Sequence, residues 1–180
     1  MSFDLDRSIQ LLERTPAVLR TWLSGLDDEW TARHEGKDTW SPYDVVRHLI
    51  DGEHTVWMPR LRVILSDGPE KTFAPSDQLA EFRESEGRSL GELLDEFAAA
   101  RAACLRDLRV LALSGADLDR TGVHPTFGTV TARQLLATWV AHDLDHVMQI
   151  SRVLAHQVGG EVGPWVEFLR VVRDAPTRDA

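Results

Sequence analysis

The chain has 180 residues, 43% hydrophobic and 27% charged, a composition that suits an ordinary globular protein with a substantial core. Its formal charge is −9, its only lysines are Lys37 and Lys71, and no basic stripe stands out, which argues against nucleic acid as a partner. No apolar run reaches the roughly 18–20 residues that cross a bilayer, which argues against a membrane partner, and the lone Cys104 excludes an intrachain disulfide.

The start of the chain, Met1 to Asp6, is acidic and lacks a signal-peptide layout, so a reducing cytoplasm is the expected location. Residues 4–25 read as a first helical segment broken near Thr15-Pro16, where Thr15 can cap and Pro16 suits a first turn. Leu11, Leu12, Val18, Leu19, Trp22 and Leu23 would form its inward face. A loop with Gly36-Lys37-Asp38-Thr39 follows. The second helix starts at Ser41-Pro42 and runs to about Leu65, with Pro59 kinking or dividing it. Val45, His48, Leu49, Gly52 and Val56 share one of its faces.

Ser66 to Ser76 is the longest loop, and residues 77–88 are a candidate short helix. A capping box at Ser89-Leu90-Gly91-Glu92 announces the third helix, which should end near Leu113. Gly115 to Val130 reads as a connector with room for a short extended piece. A second box, Thr131 to Gln134, opens the fourth helix, which should stop near Gly159-Gly160. A terminal helix is expected over 164–173 and a flexible tail over 174–180. No domain-scale linker interrupts residues 1–180, so one all-α domain built as a four-helix bundle with short extra helices is expected.

Chemistry concentrates in the fourth helix. His142 and His146 are four apart and therefore project from one face, about 6 Å apart along the axis. They belong to a seam of Leu135, Trp139, His142, His146, Gln149 and Val153, in steps of four and three, that should face inward. Buried imidazoles need partners, which a metal ion, carboxylates or backbone carbonyls can supply. His48 shares the inward face of the second helix, and Gly52 one turn on would leave open space beside it. One histidine plus an i, i+4 pair gives three neutral nitrogen donors, a set that suits a divalent transition metal (zinc, nickel, copper or iron, with zinc or nickel first) better than magnesium or calcium. Three protein ligands leave positions open for a reactant.

The run Trp40-Ser41 with Val45 to Glu53, and the runs Gly128 to Leu136 and His142 to Ile150, resemble the DinB/YfiT-like four-helix bundle superfamily in order and separation. The resemblance covers nearly the whole chain. It implies an up-down-down-up bundle, commonly dimeric, with a divalent metal held at His48, His142 and His146. Some members of that superfamily are transferases or isomerases that use mycothiol, bacillithiol or glutathione, and many have no assigned reaction.

Other residues carry blander expectations. His54 is turned roughly 240° from His48 and should be exposed or hydrogen bonded. His34, His124 and His156 lie near loops or helix ends, and the connector holding His124 offers a route to a pocket. Asp51, Glu53, Asp143 and Asp145 read mostly as a solvated or dimer-facing surface, although one of them could orient a ligand imidazole. Glu53 is a conceivable general base, but it sits about 140° from His48. Trp57 and Trp139 read as core before pocket wall, and Cys104 as a buried small hydrophobe. The function expected from all this is a metal-binding bundle acting on a small-molecule substrate with a low-molecular-weight thiol. A metal-dependent hydrolase and a non-enzymatic metal- or ligand-binding stress protein are the alternatives. A homodimer is expected, with Trp22 offering an apolar contact.

Overall fold

Local capping sets where the main helices begin. A computed structural model describes residues 3–75 and 87–173. Helix one comprises α1 (Leu5–Leu12) and α2 (Thr15–Leu23). A four-residue α3 (Asp28–Thr31) precedes helix two, which comprises α4 (Pro42–Asp51), a π-helical turn (Gly52–Val56) and α5 (Trp57–Leu65). Helix three is α6 (Leu90–Val110), and a short α7 (Gly115–Leu118) follows. A hairpin of β1 (Thr121–His124) and β2 (Gly128–Thr131) leads into helix four, α8 (Ala132–Val158). The expected capping boxes at Ser89–Glu92 and Thr131–Gln134 are formed, and Ser41–Asp44 makes a third at the start of α4.

The core shows which way each helix runs. One half joins Ile9 and Leu12 to Leu61 and Ile64, Leu105 and Leu108, and Leu135 and Leu136. The other joins Leu19 and Leu23 to Val45 and Leu49, Leu93 and Phe97, and Ile150. Helices one and four therefore pass from the first half to the second, and helices two and three pass the opposite way. This is the up-down-down-up bundle. Parallel neighbours two and three need a connection that returns along the bundle, which accounts for the long stretch between Leu65 and Leu90.

That return strand is not a bare loop. Thr72 bridges Val123 in parallel register, Phe73 N–H donates to Val123 O at 2.9 Å, and Val123 N–H donates to Lys71 O at 2.8 Å. Beside it, a Cβ on Gly122 would lie 2.7 Å from the Phe73 ring, so only glycine lets strand and return segment approach this closely.

Several expectations need correction. On helix one Leu12, Leu19 and Leu23 are buried, but Leu11, Val18 and Trp22 face outward, because adjacent positions diverge by about 100°. The break falls at Thr15-Pro16, yet Thr15 does not cap; Arg14 holds that position without a side-chain bond. In helix two the irregularity lies one turn before Pro59. Proline gives no N–H to the Thr55 carbonyl and crowds it, and the chain widens ahead of it, with Trp57 N–H donating to Gly52 O. Helix three stops at Val110, and Ala112 turns the chain with φ 44°. The terminal helix is a 3-10 segment, Gly163–Phe168, followed by Arg170–Arg173. The candidate helix over 77–88, except Gly87 and Arg88, and the tail over 174–180 lie outside the described residues.

Candidate metal centre

His48 lies in the last turn of α4, and His142 and His146 lie one turn apart near the middle of α8. Because helices two and four run antiparallel, the three rings meet between the core halves. His48 Nε2 is 3.0 Å from His142 Nε2, and His142 Nε2 is 3.1 Å from His146 Nε2. One ligand atom from each of the three lies within 4.8 Å of the others. With metal–nitrogen bonds of about 2.0–2.1 Å, donors at right angles stand about 2.9 Å apart and tetrahedral donors about 3.3–3.4 Å apart. The His48–His142 and His142–His146 spacings fall between these, so the three residues are placed to hold a single divalent ion.

The surroundings keep the imidazoles neutral. Burial pulls His142 down to about 3 and His48 to about 4, each helped by the nearby His146, and burial also lowers His146. Neutral rings are what a metal requires. His146 Nδ1 donates to Gln149 Oε1 at 2.8 Å, which leaves the Nε2 lone pair facing the cluster. His142 Nδ1 is buried and has no hydrogen-bond partner among the described residues. Aromatic rings wall the cluster. Trp40 tilts over His48 at 4.6 Å and stacks near His146 at 6.0 Å. Trp57 meets His142 edge-on at 5.1 Å and stacks on Trp139 at 5.5 Å. Trp139 is core, as expected, whereas Trp57 serves both core and cavity wall.

A cavity of about 750 Å³ opens from the three histidines. Its walls include Trp57, Phe73, Val130 and Leu135, and its outer part reaches Arg60, His124 and Phe127. That is ample for a small organic molecule. Gly52 does not supply the open space the sequence suggests: a Cβ there would lie 3.0 Å from Trp57 Nε1, so its missing side chain makes room for the indole.

Beneath the histidines sits an ion cluster that sequence reasoning missed. Arg101, 2% exposed at its side chain, donates to Asp143 at 2.6 and 2.9 Å, to Glu53 at 2.8 Å and to Leu12 O at 2.8 Å. Trp139 Nε1 also donates to Glu53 Oε1 at 3.1 Å. Glu53 and Asp143 are therefore interior, not surface, residues. Helix two packs against both helix three and helix four, so a direction 140° from His48 still points inward. The available signal was Arg101 itself, which stands on the helix-three seam between Phe97 and Leu105. With Glu53 held by Arg101 and Trp139, it is no free general base.

Cys104 is half-buried where a buried residue was expected, but its thiol is unreactive as expected: its Sγ lies 3.3 Å from Glu53 O, and desolvation pushes it up to about 12. His54 is exposed and lies 3.2 Å from Glu96. His34 binds Thr39 O through Nδ1, Asp145 is exposed, and Asp51 accepts a hydrogen bond from Thr55. His156 stays at the end of helix four, half-buried.

The pattern of the DinB superfamily matches residues 11–150. No curated protein matches the chain. Among solved structures, YfiT from Bacillus subtilis, described as a probable metal-dependent hydrolase with an unusual four-helix bundle topology, superposes with a TM-score of 0.74 at 24% identity. The match covers 88% of this chain and 91% of that chain. At this identity the likeness concerns the fold.

Proposed function

The chain belongs to the DinB superfamily, and from that premise we propose that His48, His142 and His146 hold one divalent transition metal, zinc or nickel, and that the protein is a transferase using a low-molecular-weight thiol. The observation that carries the reading is the convergence of neutral Nε2 atoms, 3.0 and 3.1 Å apart, at the head of an apolar cavity. A bound metal supplies Lewis acidity, which lowers the pKa of a thiol or of water that reaches it. The residues do the rest. Gln149 orients His146, burial keeps all three rings deprotonated, and Trp40 and Trp57 restrict water around them.

Two features support a thiol as nucleophile. Cys104 is half-buried and its thiol is held protonated, so the nucleophile comes from outside the chain. Among the described residues no carboxylate lines the cavity, and a thiol acidified by the metal needs no protein base. Hydrolysis is the second reading, because YfiT is described as a probable metal-dependent hydrolase.

Elemental analysis of purified protein should find about one metal per chain, and His146→Ala should lose most of it. With a chromogenic electrophile, turnover should require both metal and thiol and should vanish in His146→Ala. Turnover that needs metal but no thiol would select the hydrolase. An unchanged rate without metal would reject both.

A further inference from the structure

Among the described residues the cavity is lined by one guanidinium, that of Arg60. Arg60 stands one helical turn beyond Trp57 on α5, and Trp57 itself touches His142. Elsewhere among the described residues, guanidiniums drawn from water meet carboxylates: Arg101 has Glu53 and Asp143, and Arg152 has Glu35. Arg60 is half-buried, yet no described residue forms an ion pair with it. Its head lies over the Phe73 ring, 5.4 Å from the centroid. Burial pulls its pKa below the usual value, with the charge of Asp51 acting against this from beyond ion-pair distance.

The neighbours of Arg60 on the cavity wall are also built for a ligand. His124 feels the positive charge of Arg60, and burial and that charge both lower its pKa. Its Nδ1 accepts from the Thr126 and Phe127 N–H groups at 3.1 and 3.3 Å, so the neutral ring carries its hydrogen on Nε2 as a donor. Phe127 stacks on His124 at 4.6 Å and is 76% exposed, a large apolar ring left in water at the edge of an apolar cavity.

We infer that Arg60, with His124 and Phe127, receives the carboxylate end of an amphipathic organic acid whose apolar body fills the cavity toward the three histidines. The assignment rests on the reading of those histidines as the reacting end. It narrows the substrate class from any electrophile to carboxylates with a flat or branched apolar body. The guanidinium fork matches a carboxylate bidentately, and the apolar wall between the two ends excludes small hydrophilic acids.

Calorimetric titration with 4-phenylbutanoate and with its primary amide tests the assignment, using zinc-loaded and metal-free protein. The acid should bind about tenfold or more tightly than the amide in both forms, as a charge-assisted contact requires. Arg60→Gln should erase the difference while leaving zinc content unchanged, and Arg60→Lys should keep part of it. A preference that disappears on removing zinc would place the carboxylate on the metal and overturn the assignment. So would a preference that survives Arg60→Gln. A third arm compares 3-mercaptopropionate with 2-mercaptoethanol: if Arg60→Gln abolishes that discrimination alone, the anion belongs to the thiol and the substrate class is wrong. Failure of the metal reading is separate, because protein that binds no zinc can still prefer acid over amide.

Discussion

His142 sits in surroundings that oppose its protonation. It is buried, it has two other histidines beside it, and the charge of Arg101 also opposes its protonation. Its pKa is about 3 and that of His48 about 4, against an ordinary 6.5. A group whose folded pKa is lowered takes up its proton more readily in the unfolded chain. Its contribution to stability is therefore complete above 6.5 and lost as pH falls through the folded value. The urea midpoint of metal-stripped protein should hold level above pH 6.5 and fall steadily between 6.5 and 4. His142→Gln should flatten that fall, and a level midpoint in the unsubstituted protein would contradict the burial described.

At the scale of elements, the widened turn of helix two sets the cavity wall. Trp57 reaches His142 because Gly52 leaves room for its indole. Gly52→Ala should displace that indole, costing about 1–3 kcal/mol as overpacking usually does. Near-UV circular dichroism of the Trp57–Trp139 stack should change while the far-UV helical signal stays. Much of this layer was legible in the sequence, because its signals are local. A capping box is an i, i+3 exchange, and the histidine pair is an i, i+4 face; both are complete within one turn. Of the Arg101 cluster only Arg101's own place on the helix-three seam was a signal; its partners Glu53 and Asp143 lie 48 and 42 residues away and each alone looks like a surface charge. The pairing of Thr72 with Val123 was hidden for the same reason. The Pro59 effect was foreseen in kind but misplaced by a turn, because the ring disturbs the carbonyl before it.

At the scale of the whole molecule, helix one and the turn after it present an exposed apolar strip among the described residues. Leu11 is 47% exposed, Trp22 42% and Leu26 37%. If that strip is a self-contact, light scattering should give about twice the 20.2 kDa of the chain, and Trp22→Glu should return it to the monomer; a monomer without substitution would refute the expected homodimer. The bundle's interior carries a different demand. Arg101 touches a carbonyl of helix one, a carboxylate of helix two and a carboxylate of helix four, from its own place on helix three. Removing it alone, as Arg101→Ala, should cost about 3–5 kcal/mol, since two buried carboxylates lose their counter-charge. The same residue acts as a tally of assembly. A guanidinium dehydrated before all three partners arrive is heavily penalised, so two- and three-helix fragments are held high in energy and the chain has little reason to linger between coil and bundle. Unfolding followed by tryptophan fluorescence and by helical dichroism should trace one coincident curve. With Leu at 101, 53 and 143 together, helices are free to dock piecemeal, and the two curves should part even where stability is regained.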